Sequence, residues 1–125
     1  MIFGIGTDVV EVARIAASIE EFGDAFAKRI LAESELDAYQ QSHLKARFLA
    51  KRFAAKEAFS KALGTGLRAP ATLQNIAVSH DTLGKPFLIL APELLALLQA
   101  KNIMHTHISI SDEKNLATAF VVLET

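Results

Sequence analysis

The sequence predicts an α+β fold. Three observations lead there. Residues 104–111 alternate apolar and polar as a half-buried strand does, a helical stretch of 19 residues occupies the middle of the chain (45–63), and strands and helices mix without the regular alternation of a parallel sheet. At 125 residues, 51% apolar and 22% charged, the chain reads as one ordinary globular domain spanning 1–125.

The elements follow in order. Residues 2–7 alternate weakly and carry Gly4 and Gly6, which marks a short strand whose backbone leaves room for a close neighbour. Asp8, with Glu11 three residues later, has the spacing of a helix-capping box, and the apolar positions Val9, Val12, Ile15, Ile19 and Phe22 extend that predicted helix to Gly23. Helical segments follow at 25–31, 34–41 and 45–63, the last closed by Gly64. Residues 75–80 and 87–90 form a predicted hairpin around Leu83-Gly84-Lys85-Pro86. Pro92 opens a Leu-rich helix over 92–101. Strands at 104–111 and 117–123 complete the chain.

Composition excludes several classes. With 13 Lys+Arg against 14 Asp+Glu there is no cation excess to displace counterions, so a nucleic-acid binder acting by bulk charge is excluded. The absence of cysteine removes disulfides, thiolate zinc sites and cysteine nucleophiles. No run of 18 apolar residues spans a membrane, and no basic segment precedes the first apolar stretch, so a cytoplasmic location is expected. A mean hydropathy of +0.29 is high for a small domain and suggests apolar surface reserved for a partner subunit.

The chemistry concentrates on the central helix. Lys45, Arg47, Lys51, Arg52, Lys56 and Lys61 stand there against one acid, Glu57. On a helical wheel Phe48, Ala55, Phe59 and Ala62 share one side. Glu57 lies nearly opposite among Phe53, Ala50, Ala54 and Lys61, which is no ordinary wet face. Glu57 and Lys61 have i,i+4 spacing, just ahead of Gly64-Thr65-Gly66, where a backbone can approach a phosphate. Asp8 is either a helix cap or, at a strand end beside two glycines, a ligand. Asp8 and Glu57 together would make an all-oxygen site suited to Mg²⁺ rather than zinc. His105 and His107 share a strand face but lack a third ligand, which argues against zinc.

At these residues the chain resembles a known family. The run 4–15, Gly-Ile-Gly-Thr-Asp-Val-Val-Glu-Val-Ala-Arg-Ile, and the run 53–66, Phe-Ala-Ala-Lys-Glu-Ala-Phe-Ser-Lys-Ala-Leu-Gly-Thr-Gly, are similar to the two signatures of the holo-acyl-carrier-protein synthases, the short bacterial 4'-phosphopantetheinyl transferases. The Leu83–Pro86 turn and the strand His107-Ile-Ser-Ile-Ser111 complete the resemblance, which runs from residue 2 to about 124. It implies a single domain with mixed short strands packed on a long central helix. It also implies Mg²⁺-dependent transfer of the 4'-phosphopantetheine arm of coenzyme A to a serine of an apo acyl carrier protein, releasing adenosine 3',5'-bisphosphate, in support of fatty acid biosynthesis.

Position by position, the resemblance makes Asp8 and Glu57 the metal ligands and Lys61 the phosphate-contacting lysine. Arg52, Gly64, Gly84, Pro86 and His107 fall on the coenzyme A side, and Arg14 is the leading residue for docking an acidic carrier protein, with Lys28 and Arg29 behind it. A homotrimer with active sites at subunit interfaces is implied as well. Asp112 departs from the pattern, since many members carry a second histidine there. Two other readings stay open: a Mg²⁺-dependent nucleotide pyrophosphohydrolase using the same Asp8, Glu57 and Lys61 with water as acceptor, and a non-catalytic oligomeric module.

Overall fold

The computed structural model describes residues 1–125. Strand β1 (Ile2–Glu11) leads into helices α1 (Val12–Phe22) and α2 (Asp24–Ile30). A short 3-10 turn (Glu33–Glu35) precedes α3 (Leu36–Gln41) and the long α4 (Lys45–Leu63). After a second 3-10 turn (Leu73–Asn75) come the hairpin β2 (Ile76–His80) and β3 (Pro86–Leu90), helix α5 (Pro92–Ala100), and strands β4 (His105–Asp112) and β5 (Leu116–Glu124). The α+β class predicted from sequence is correct.

Two antiparallel sheets result. One has the order β1-β5-β4, and the other is the β2-β3 hairpin. In the larger sheet the last strand lies in the centre, with Asp8 opposite Ala119 and Ala119 opposite Ile110. Its inner face, Ala117, Ala119, Val121 and Leu123, is buried against α4. Alternation puts Ile5, Val9 and Phe120 on the outer face, where all three are exposed.

Helix α4 is covered nearly all round, and its composition shows why. Leu49, Ala50, Ala54, Ala55, Ala58 and Phe59 are fully buried. Five of these contacts are made by small side chains or a single aromatic, so the sheet can lie close to the helix axis. The closest approach occurs at the strand glycines. A Cβ on Gly4 would sit 2.0 Å from the Ala62 carbonyl oxygen, and one on Gly6 would sit 2.0 Å from that of Ala58. The neighbour for which these glycines leave room is therefore α4. At this same end of the helix, Gly64 adopts φ 86°, the left-handed cap that L side chains avoid, and its N–H reaches the Ser60 and Lys61 carbonyls.

Two expectations need correction. The first strand does not stop at residue 7 but continues to Glu11, so Asp8 and Val9 are strand residues. Helix α1 starts at Val12 with Glu11 at its N-cap position and no side-chain cap. The Asp8–Glu11 capping box does not exist, because pairing with β5 holds this segment extended through Glu11. The predicted helix over 34–41 is split, its first turn being 3-10.

Candidate active site at the β1–α4 junction

Asp8 lies on the inner face of β1, where the alternation that sets Gly4, Gly6 and Val10 against α4 points its side chain at the helix. Its carboxylate accepts a hydrogen bond from Lys61 Nζ at 3.1 Å, and the same ammonium donates to the Thr7 carbonyl at 3.0 Å. The Asp8 side chain is only 16% exposed, whereas that of Lys61 is 54% exposed. The predicted Glu57–Lys61 pair is therefore replaced: Lys61 turns to the strand, and no ion pair to Glu57 forms.

Glu57 stands beside this pair. Its carboxyl is held above the ordinary value of 4.5, first by burial and then by the Asp8 charge, with Lys61 pulling the other way. Two carboxylates that repel one another in a partly desolvated corner are what a hard divalent cation relieves. No third His, Asp or Glu joins them in a metal-binding cluster. The donor set thus fits Mg²⁺, which takes one or two carboxylates and fills its remaining positions with substrate phosphate and water.

These acids open onto a cavity of about 540 Å³. Its apolar wall comes from Phe22, Phe26 and Phe53 with Ile15, and Arg14 and Arg29 supply cations at its rim. The aromatic wall was missed from sequence; an i, i+4 pair of phenylalanines at 22 and 26, broken only by Gly23, was the available signal. Lys28 is exposed in the last turn of α2 and does not line this cavity.

The residues assigned to coenzyme A fall elsewhere. Arg52, Gly84 and Pro86 line a second cavity of about 380 Å³ together with Phe48, Lys51, His80, Ile110 and Asp112. Gly84 takes φ 86° in a turn pinned by Asp81, whose Oδ1 accepts from the Leu83 and Lys85 amides at 2.9 Å. His80 is held below the ordinary 6.5 by burial and then by the Arg52 and Lys51 charges. Asp112 is tied to Arg47 by a 2.6 Å ion pair. Gly64 joins neither cavity, and its amide is consumed by the helix cap. His107 projects from the outer face of β4 and meets Glu124 at 2.9 Å.

Arg52 is less free than a surface cation. It is 8% exposed, and it belongs to a buried network. Glu35 accepts from Arg52 at 2.8 Å, from Lys56 at 2.5 Å, from the Ala32 amide at 2.8 Å and from the Val78 amide at 3.0 Å. Lys56, with no exposed surface, also donates to the Ile30 and Leu73 carbonyls. Sequence reading passed over Glu35 and named Lys56 only among the cations of the central helix. The wheel held the clue, since Lys56 falls on the apolar side with Leu49 and Phe59.

The chain matches the model of the 4'-phosphopantetheinyl transferase superfamily over residues 4–121. It belongs to that superfamily. Its relatives place it more finely. It is 56% identical over 124 residues to the holo-acyl-carrier-protein synthase of Nitrosospira multiformis, covering 99% of each chain. The crystal structure of the Neisseria meningitidis holo-acyl-carrier-protein synthase superposes with a TM-score of 0.97 at 47% identity, covering 100% of both chains. A Bacillus anthracis synthase solved in complex with CoA (3',5'-ADP) matches with a TM-score of 0.81 at 41% identity, covering 100% of this chain and 98% of that one. The transferase is accordingly an enzyme of the holo-acyl-carrier-protein synthase type, and no helix in it is long and apolar enough to cross a membrane.

Proposed function

We propose that this transferase moves the 4'-phosphopantetheine arm of coenzyme A onto a serine hydroxyl of an apo acyl carrier protein, releasing adenosine 3',5'-bisphosphate. The reading places it in the cytoplasm, in support of fatty acid biosynthesis. The observation that carries it is the corner where Asp8, Glu57 and Lys61 converge at the mouth of a cavity rimmed by Arg14 and Arg29. Asp8 and Glu57 would hold Mg²⁺, which supplies charge neutralisation to the diphosphate and its leaving group. Lys61 adds a fixed positive charge already oriented by two oxygen acceptors. Phosphoryl transfer asks mainly for alignment and electrostatic support, which this arrangement offers. The serine proton passes to Asp8, Glu57 or a water. Arg14 and Arg29 fit an acidic carrier protein.

A homotrimer with interfacial sites accounts for the separation of the two cavities. Phe53 and Glu57 face one side of α4, while Phe48, Lys51 and Arg52 face a direction about half a turn away. Asp8 and Ile110 lie on the two edge strands of the sheet, with β5 and the overlying α4 between them. One coenzyme A bound by a lone chain would have to arch over the helix. A neighbouring subunit packed on the apolar outer face around Ile5, Val9 and Phe120 would also bring His107 near such a site.

The test is the intact mass of an apo acyl carrier protein incubated with the enzyme, coenzyme A and Mg²⁺. A phosphopantetheine adduct that disappears with chelator is expected. Release of adenosine 3',5'-bisphosphate at the same rate without carrier protein would instead identify a pyrophosphohydrolase.

A further inference from the structure

Within the buried network of Glu35, Arg52 and Lys56, only Arg52 has been given a part, on the coenzyme A side, and it alone reaches a cavity. All the hydrogen bonds that Arg52 makes within the chain leave from one nitrogen: Nη1 donates to Glu35 Oε2 at 2.8 Å and to the Val78 carbonyl. Nε and Nη2 have no partner in the chain, and they are not sealed from solvent either, since Arg47 Nε is the single buried side-chain nitrogen or oxygen left unpartnered. The guanidinium lies over the Phe48 ring, 4.5 Å from its centroid, and Phe48 is braced edge-on by Tyr39 at 5.7 Å. Arg52 is therefore fixed from one end and one face, with its remaining edge open to the cavity shared with Gly84, Pro86, Lys51 and His80. A guanidinium edge with two free N–H-bearing nitrogens matches a phosphate.

We propose that Glu35 is a positioning residue: from the interior it fixes Arg52 so that the open guanidinium edge receives a phosphate of coenzyme A. The geometry of the carboxylate supports this division of labour. Oε2 serves Arg52 and the Val78 amide, while Oε1 serves Lys56 and the Ala32 amide. The two halves can thus be disturbed separately. Lys56 ties down backbone at Ile30 and Leu73, and Arg52 faces the ligand. The proposal rests on coenzyme A being the ligand of this cavity.

The experiment compares Glu35→Gln, Lys56→Met and the double variant, measuring calorimetric coenzyme A binding, KM for coenzyme A and for apo carrier protein, kcat, and Tm. Both single variants lower Tm. Only Glu35→Gln raises the coenzyme A Kd and KM, by about tenfold, with kcat at saturation and the carrier-protein KM within about twofold of wild type. In an Arg52→Met background Glu35→Gln produces no further loss of affinity. The double variant removes one charge of each sign, so it relieves the buried imbalance of the single change while keeping the coenzyme A defect; it serves if Glu35→Gln alone does not fold. Coenzyme A affinity unchanged in Glu35→Gln or in the double variant, or falling equally in Lys56→Met, overturns the positioning role. Wild-type protein that fails to bind coenzyme A at all overturns the functional reading instead, and the proposal with it.

Discussion

Replacing Glu57 by glutamine separates the two jobs a carboxylate can have at this position. The raised pKa of Glu57 means that the folded chain holds its proton more tightly than the unfolded chain. Below the ordinary value of 4.5 the neutral carboxyl carries no penalty. As pH rises through the higher folded value, ionisation beside Asp8 sets in and that stability is lost. At pH 7 without divalent metal, Glu57→Gln therefore removes a partly desolvated charge and its repulsion by Asp8 rather than a bond. The group is only partly buried, so solvent screens the effect to about 0.5 kcal/mol, within the range of exposed charge pairs. For a domain of this size that is an increase in Tm of about 2 °C. Activity moves the other way. In the proposed Mg²⁺ site, deleting one of only two protein oxygen ligands costs at least about 100-fold in kcat/KM, given that even residues supporting a ligand cost 10- to 100-fold. Calorimetric melting with and without Mg²⁺, alongside the carrier-protein mass assay, reads both quantities. Mg²⁺ raises the Tm of wild type and not of the variant. A variant that loses Tm in step with activity, or that keeps its activity, refutes the metal-site reasoning.

Three other outcomes are expected. Gly6→Ala drives a Cβ into the Ala58 carbonyl at 2.0 Å and the Ala62 nitrogen at 2.6 Å, both backbone atoms, and costs about 3 kcal/mol or more by urea denaturation; near-wild-type stability would contradict the close β1–α4 packing. Arg14→Ala raises the carrier-protein KM about tenfold at low salt, converges with wild type at high salt and leaves coenzyme A affinity intact, and a salt-independent KM would remove Arg14 from the docking surface. Burial pushes Glu35 upward, but Lys56, the Ala32 amide and Arg52 outweigh it and hold the carboxyl below 4.5, so its stabilisation is full above that pH and is lost as pH falls through the lower folded value. The stability deficit of Glu35→Gln is accordingly largest near neutrality and shrinks on acidification, and a deficit independent of pH would show that the lost charge is not its cause.

Patterns local to the chain were readable from sequence alone; of the pairings across it, that of Asp8 with Glu57 was anticipated and the others were not. The long helix and its Gly64 stop follow from periodicity and a left-handed cap. The hairpin follows from its turn residues, and the glycines of β1 announced a close contact without naming the partner. Asp8 was misplaced in a helix cap because Asp-x-x-Glu is a local signal, whereas the pairing of Asp8 with Ala119 joins residues more than a hundred positions apart. Lys61 illustrates the same rule: helical spacing pointed it at Glu57, and the strand it packs against offered two better acceptors. Glu35 escaped notice because its partners at 52, 56 and 78 lie on two other segments, α4 and β2.

The position of β5 bears on how the molecule comes into being. This central strand leaves the ribosome after the other strands of its sheet, and both edge strands, β1 with Asp8 and β4 with Asp112, are zipped to it. A nascent chain halted before Leu116 holds Asp8 on a strand with no sheet and α4 with one flank bare. Without Leu116–Glu124 nothing zips β1 into a sheet, so products truncated before it leave β1 and α4 partly uncovered and exposed to proteases.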